Sequence, residues 1–193
     1  MNTKKINKFL QSFIAIPMLA MAIPTAGIGQ IPSTLAILDN NRDATVAAST
    51  ITTLEDTIRQ NKADAIDAYF DKYDAPLKGY GMKFVIEAEN NNLDWRLLPA
   101  IAMRESTGGK HACKSVPNSV FGYGSCKLSF DSIDSSIEVV ARSLGGNDPQ
   151  TANHYDNKTT LQILKKYNSI IPGYSTQVVS IMKAIEDDGT KVI

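Results

Sequence analysis

The chain has 193 residues, which suits one domain with a short additional segment and allows a sizeable buried core. Apolar residues make up 43% and charged residues 21%, proportions that are ordinary for a globular protein. Basic and acidic residues balance at 20 each, so charge gives no indication of a nucleic-acid partner, and we expect none.

Residues 1–26 have the pattern of a secretory signal peptide. Three lysines form a basic start, residues 9–23 carry no charge, and small residues around 20–22 offer a cleavage site. The alternative is an uncleaved anchor, but Pro17 interrupts the stretch, which is also shorter than the ~20 apolar residues of a membrane span. We therefore expect a secreted, periplasmic or envelope-associated protein with no stable membrane span after cleavage.

Residues 27–53 are rich in Ala, Thr, Ser and Asn and show little periodicity. This composition indicates a linker or a loosely ordered arm, with a strand around 35–38 docked on the core as the competing interpretation. Helical spacing of apolar residues begins at Leu54, so the main domain is predicted to span 54–193.

The predicted domain is all-α with one minor hairpin. Helices are expected over the ranges 54–73, 78–90, 93–109, 135–144, 160–167 and 175–186. Asp94 is a candidate N-cap, Ser135 and Glu138 form a candidate capping box, and Thr159 or Thr160 caps the next helix. Between these helices, residues 120–123 are expected to form a small irregular hairpin.

Glu105 is a candidate catalytic acid. It follows Leu97 and Ile101 on one stripe of the helix over 93–109, so its carboxyl extends an apolar face. The Ser-Thr-Gly-Gly that comes next ends the helix, its glycines supplying the positive φ of a C-cap. A charged carboxyl is poorly solvated there, which favours the protonated form that a general acid needs. The alternative is a solvated glutamate paired with a neighbouring cation such as Arg104.

Three segments together resemble the lysozyme-like superfamily, in particular the bacterial glucosaminidase and lytic transglycosylase domains that cut peptidoglycan. They are Leu-Asp-Trp-Arg-Leu-Leu-Pro-Ala-Ile-Ala at 93–102, the Glu105-Ser106 pair, and Asn-Ser-Val-Phe-Gly-Tyr-Gly-Ser at 118–125. The resemblance covers residues 63–185 and implies a lysozyme-like helical domain with a glycan cleft. It also implies that Glu105 is the catalytic acid.

The same resemblance suggests the other site residues. Substrate contacts are expected from the following side chains and backbone: Ser106, Asn118, Phe121, Gly122, Tyr123 and Tyr174. Tyr167-Asn168 followed by Tyr174 is similar to the family's late tyrosine-containing segment, where a tyrosine faces the acid across the cleft, so Tyr167 is expected to be catalytic. For each tyrosine the alternative is core packing with a satisfied hydroxyl.

Cys113 and Cys126 are the only cysteines of the sequence. An even pair in an exported protein most often forms a disulfide, which here would clip the irregular segment that follows Glu105. His111 and His154 lack partners at metal-ligand spacing, so we expect no metal and no cofactor.

A second carboxylate is not evident. Many glycosidases use two, and the available candidates lie in no motif: Asp131, Asp134, Glu138 and Asp156. The resemblance implies that the substrate's N-acetyl oxygen or muramyl 6-hydroxyl takes the second role. The expected function is cleavage of β-1,4 bonds in peptidoglycan, the alternatives being a non-catalytic glycan-binding or structural domain and a chitinase-like enzyme.

Overall fold

Helices account for all the regular structure of residues 34–189, the part of the chain that the computed structural model describes, with side chains described from residue 50. They are α1 (Thr34–Lys72), α2 (Gly81–Asn90), α3 (Leu97–Ser106), α4 (Tyr123–Cys126), α5 (Ile133–Leu144), α6 (Ala152–Tyr155), α7 (Thr160–Tyr167) and α8 (Tyr174–Gly189). The predicted all-α class is confirmed. The hairpin expected at 120–123 is wrong, because these residues form a turn that leads into α4.

Helix α1 begins twenty residues before the predicted start at Leu54. The strand considered around 35–38 is therefore wrong, the linker or arm over 27–53 stays a prediction, and residues 1–33 lie outside the described residues. Residues 34–53 contain only four alanines, the best helix former, against five threonines, so composition gave little indication of a helix. Residues 50–53 are exposed, and a helical segment that buries no face lacks the periodicity by which helices are recognised. The chain divides into units 1–42 and 43–193, not at the predicted boundary after residue 53.

Helix α3 lies at the centre of the core of the second unit. Seven of its ten residues are buried, and it packs against α8 and α2. Around it, α2 packs against α5, and α7 packs against α8. Burial on nearly all sides makes α3 a rigid support for whatever side chain stands at its C-terminal end.

Two of the three predicted helix caps differ in detail, and the third is confirmed. Ser132, not Ser135, caps α5, and its hydroxyl accepts a hydrogen bond from the Ser135 amide at 3.0 Å. Asp94 lies before the α3 cap and accepts from the Arg96 amide at 3.0 Å. Thr159 caps α7 in a complete capping box, as predicted.

The left-handed residue that ends α3 is Thr107 (φ 53°), and not a glycine as predicted. The next residue, Gly108, has φ 64° and lies so close to the turn after α1 that a Cβ there would be 2.6 Å from the Ala75 side chain. The glycines do have the predicted positive φ, 64° at Gly108 and 96° at Gly109, but the left-handed turn already begins at Thr107. Across residues 34–189, no helix is long and apolar enough to cross a membrane.

Candidate active-site cleft

An open cleft of about 910 Å³ lies at the C-terminal end of α3. Five parts of the chain line it: Glu105 of α3, the segment 122–131, two residues of α5 (Ser135 and Val139), the loop 148–151 with Tyr155 at the end of α6, and the segment 167–170. The lining side chains are carboxylates, hydroxyls, amides, tyrosines and a few aliphatic groups. Among the described residues that line it there is no lysine, arginine or histidine.

The Glu105 carboxyl is held on one oxygen and open on the other. Its Oε1 accepts a hydrogen bond of 2.6 Å from the Tyr174 hydroxyl, which belongs to the first residue of α8. Its Oε2 faces Gly122, where an added Cβ would lie 3.4 Å away. Gly122 has φ +62°, a conformation that glycine adopts without strain. The partly buried carboxyl therefore lines the cleft with Oε2 close to a residue that has no side chain.

The cation partner considered for Glu105, Arg104 or Lys110, is not present in the described structure. Arg104 is engaged elsewhere: its Nε donates to Gln177 Oε1 at 2.7 Å, and its guanidinium lies 5.8 Å from the centre of the Tyr174 ring. No ion pair within the described residues involves Glu105.

Three tyrosines form a row beside Glu105. The ring centres of Tyr123 and Tyr167 are 6.3 Å apart, and those of Tyr167 and Tyr174 are 6.1 Å apart with the planes nearly parallel. Tyr167 donates to the Phe121 carbonyl at 2.6 Å, and Tyr174 donates to Glu105. Tyr123 and Tyr167 line the cleft, whereas Tyr174 is buried and contacts the carboxyl from inside the fold.

Burial raises the pKa of Tyr167 well above its ordinary value, with further increases from Tyr174 and Glu105. Burial also raises the pKa of Tyr174, and its hydrogen bond to Glu105 raises it further. Both hydroxyls therefore stay protonated at neutral pH and act as hydrogen-bond donors, not as bases.

Two of the residues expected to bind substrate, Gly122 and Tyr123, line the cleft, but Ser106 does not. Ser106 is 2% exposed, and its hydroxyl is used to close α3. It donates to the Ala102 carbonyl at 3.0 Å and accepts from the Gly109 amide at 2.9 Å. The serine that follows the glutamate therefore has a structural role in ending the helix.

Asn118 and Phe121 are likewise used inside the fold. The Asn118 side chain donates to the Phe130 carbonyl at 2.8 Å and so ties together the two ends of the segment that forms the cleft wall. Phe121 is 1% exposed, and its ring packs edge-on against Phe84 at 6.4 Å. Burial of Phe121 places its neighbour Gly122 against Glu105.

Cys113 and Cys126 lie at disulfide-bond distance, as predicted. The sulfur atoms of Cys113 and Cys126 are 1.95 Å apart and the Cα atoms 5.8 Å apart. Several residues between them or next to them have positive φ, including the non-glycine residues Ser125 and Cys126. Left-handed conformations are unfavourable for such residues, so this segment depends on its bridge and its buried neighbours to keep its shape.

Several lining residues escaped the sequence analysis. Tyr155, Asp148 and Ile170 reach the cleft from loops and short helices whose sequences carry no periodic signal. Burial raises the pKa of Tyr155 to about 12. Four carboxylates were considered as a second catalytic group. Asp131 lines the cleft, whereas Asp134, Glu138 and Asp156 do not.

No group of three His, Cys, Asp or Glu side chains within residues 34–189 is arranged to hold a metal ion. No family model, no curated protein and no solved structure matches the chain. The functional argument therefore rests on the cleft and on the residues that surround Glu105.

Proposed function

We propose that this protein cleaves β-1,4 glycosidic bonds of peptidoglycan, with Glu105 as the general acid. One observation supports the proposal most directly. A carboxyl at the end of a buried helix lines an open cleft, one oxygen bound to Tyr174 and the other beside Gly122. This arrangement orients a proton donor toward a ligand-sized space.

The composition of the cleft supports a glycan over other polymers. Hydroxyls, amides and carboxylates can hydrogen-bond to sugar hydroxyls, and tyrosine rings pack against sugar C–H groups. Phosphate-rich ligands fit poorly, because the described lining contains three carboxylates and no cationic side chain.

In the proposed reaction, protonated Glu105 delivers its proton to the glycosidic oxygen as the bond to the anomeric carbon breaks. The anomeric carbon then forms a new bond to a group of the substrate. The N-acetyl oxygen would give an oxazolinium that water opens, the water losing a proton to the Glu105 carboxylate. The muramyl 6-hydroxyl would instead close the anhydro ring and give its proton to that carboxylate. Tyr167 holds the Phe121–Gly122 backbone in place through its hydrogen bond to the Phe121 carbonyl. The chain thus contributes the proton and the positioning.

The proposal also places the protein outside the cytoplasm, where peptidoglycan is found. The pairing of Cys113 with Cys126 supports this location, because disulfides persist mainly in oxidising compartments.

The decisive variant is Glu105→Gln, which keeps the shape of the side chain and removes the transferable proton. Release of soluble fragments from purified peptidoglycan should fall by at least ~10²–10⁴, the typical contribution of general acid–base catalysis. The melting temperature and glycan binding should change little. Mass spectrometry of the wild-type products distinguishes hydrolysed ends from anhydro ends, which are lighter by one water.

Glu138→Gln provides the matched control, because Glu138 is exposed on α5 and lies outside the cleft lining. It should cleave as the wild type does. Retained cleavage by a folded Glu105→Gln protein would refute the catalytic assignment. Glycan binding without cleavage by the wild type would instead favour a binding domain.

A further inference from the structure

A chain of three hydroxyl groups links two sides of the cleft through the core. The Tyr123 hydroxyl lies 2.5 Å from the Ser143 hydroxyl, which in turn lies 2.8 Å from the Thr151 hydroxyl. Tyr123 and Thr151 are partly exposed and line the cleft, whereas Ser143 belongs to α5 and is fully buried. The chain of hydroxyls therefore has a buried middle and two ends on residues that a ligand can reach.

The protons of these hydroxyls determine what they offer to a ligand. A hydroxyl has one proton to donate, and its oxygen can accept. Because Ser143 can donate to only one neighbour, it accepts from the other, and both hydrogen bonds run in the same direction. The two bonds use two of the three protons. The remaining proton lies at Tyr123 or at Thr151, and the opposite end offers only its oxygen.

We infer that Tyr123, Ser143 and Thr151 form a binding subsite for sugar hydroxyls, which donates a hydrogen bond at one end and accepts one at the other. This inference rests on the proposed function and adds residues that hold the glycan. A sugar hydroxyl fits either end, because it both donates and accepts. An anion such as phosphate only accepts, so it would use one end alone.

Ser143 couples the two ends without contacting the ligand. A ligand hydroxyl that donates to Tyr123 favours the direction in which Tyr123 donates to Ser143, and this direction leaves the Thr151 proton free for a second ligand group. Hydrogen bonds that run in the same direction also polarise and strengthen one another. Ser143 is thus a positioning residue, and ligand contacts at the two ends strengthen each other.

A mutant cycle separates a coupled subsite from a hydroxyl chain that only stabilises the fold. Tyr123→Phe and Thr151→Val each remove one end and keep the shape of the side chain, and Ser143→Ala removes the middle. All are made in the Glu105→Gln background, in which bound glycan should not be cleaved. NMR titration gives the dissociation constants for soluble glycan strands, which are prepared from peptidoglycan by removing the peptides.

Ser136→Ala is the matched control. Ser136 is also a fully buried serine of α5, but its hydroxyl donates to a backbone carbonyl near the start of its own helix, and it does not line the cleft. This variant should lower the melting temperature and leave the glycan affinity unchanged.

Each single variant of the three hydroxyl residues should weaken glycan binding about threefold to tenfold, the scale of one hydrogen bond. The double variant of Tyr123→Phe with Thr151→Val should lose less than the product of the two single losses, because either change alone already removes the coupling. In the Ser143→Ala background the same two losses should multiply, since the two ends are no longer connected.

Losses that multiply while Ser143 is present, or equal effects of Ser143→Ala and Ser136→Ala on affinity, would overturn the inference and leave the proposed function intact. If Ser143→Ala does not fold, the cycle of Tyr123 with Thr151 decides alone. A Glu105→Gln parent that binds no glycan would also overturn the inference, whereas peptidoglycan cleavage by the wild type tests the proposed function separately.

Discussion

Tyr167→Phe is the substitution that separates a functional tyrosine from a packing residue. It keeps the ring, and with it the contacts to Tyr123 and Tyr174, and it removes only the hydroxyl that donates to the Phe121 carbonyl at 2.6 Å. Phe121 is buried, so its carbonyl loses a partner that water replaces poorly. An unsatisfied buried acceptor costs about 1–3 kcal/mol, and we expect the free energy of unfolding to fall by that amount.

Activity should fall further than stability. The Phe121–Gly122 backbone lies against the Glu105 carboxyl, so a small shift there should change the direction in which Glu105, in its proposed role, delivers a proton. We expect fragment release from peptidoglycan to drop by a factor of roughly 10 to 1,000, the scale of losing one positioned polar group.

The assay is the initial rate of fragment release at a temperature well below the unfolding transition of both proteins. Tyr69→Phe is the control, because Tyr69 is a buried tyrosine of α1 that does not line the cleft. It should lose stability without losing activity. A Tyr167→Phe rate within twofold of the wild-type rate would place Tyr167 among the packing residues.

Two further predictions concern stability. The exported protein should show no free thiol under denaturing, non-reducing conditions, and replacing both Cys113 and Cys126 with Ser should lower the free energy of unfolding by about 3 kcal/mol; two labelled thiols would contradict this. Burial alone would raise the pKa of Asp94, but hydrogen bonds from Arg96 lower it below the ordinary 3.8. Asp94→Asn should therefore be less stable than the wild type at neutral pH, and urea titrations should show the difference shrinking as the pH falls below that value. A difference that is independent of pH would contradict the Asp94 prediction.

Helices that bury one face were the predictable part of the fold. Leu97, Ile101 and the residues between them carry enough periodicity to locate α3, and the same holds for α2, α5, α7 and α8. The part of α1 before Leu54 was missed because its sequence has no recognisable apolar stripe, and residues 50–53 are exposed. The observed caps of α3 and α5 differ from the predicted ones because more than one residue near each helix start could act as a cap, and tertiary contacts selected among them.

The site was predictable only where its residues lie close together in the sequence. Glu105 and Gly122 lie on either side of one irregular segment, and the disulfide follows from composition and compartment. Tyr155 and Ile170 reach the cleft through tertiary packing that no spacing rule encodes. The roles of Ser106 and Asn118 were misjudged for a related reason, since a hydroxyl or amide beside a site can equally serve the backbone.

The contacts of Glu105 explain why an aromatic-glycine pair occurs in the cleft wall. Phe121 anchors the wall in the core against Phe84, which brings residue 122 to within contact distance of the carboxyl. Gly122 has φ +62°, a conformation that glycine adopts without strain, and an added Cβ there would be in ordinary contact with Oε2 at 3.4 Å. Tyr174, 69 residues further along, holds Oε1. One oxygen is thus fixed by a distant helix and the other faces a residue that has no side chain, which suits the proposed role of Glu105 as a proton donor.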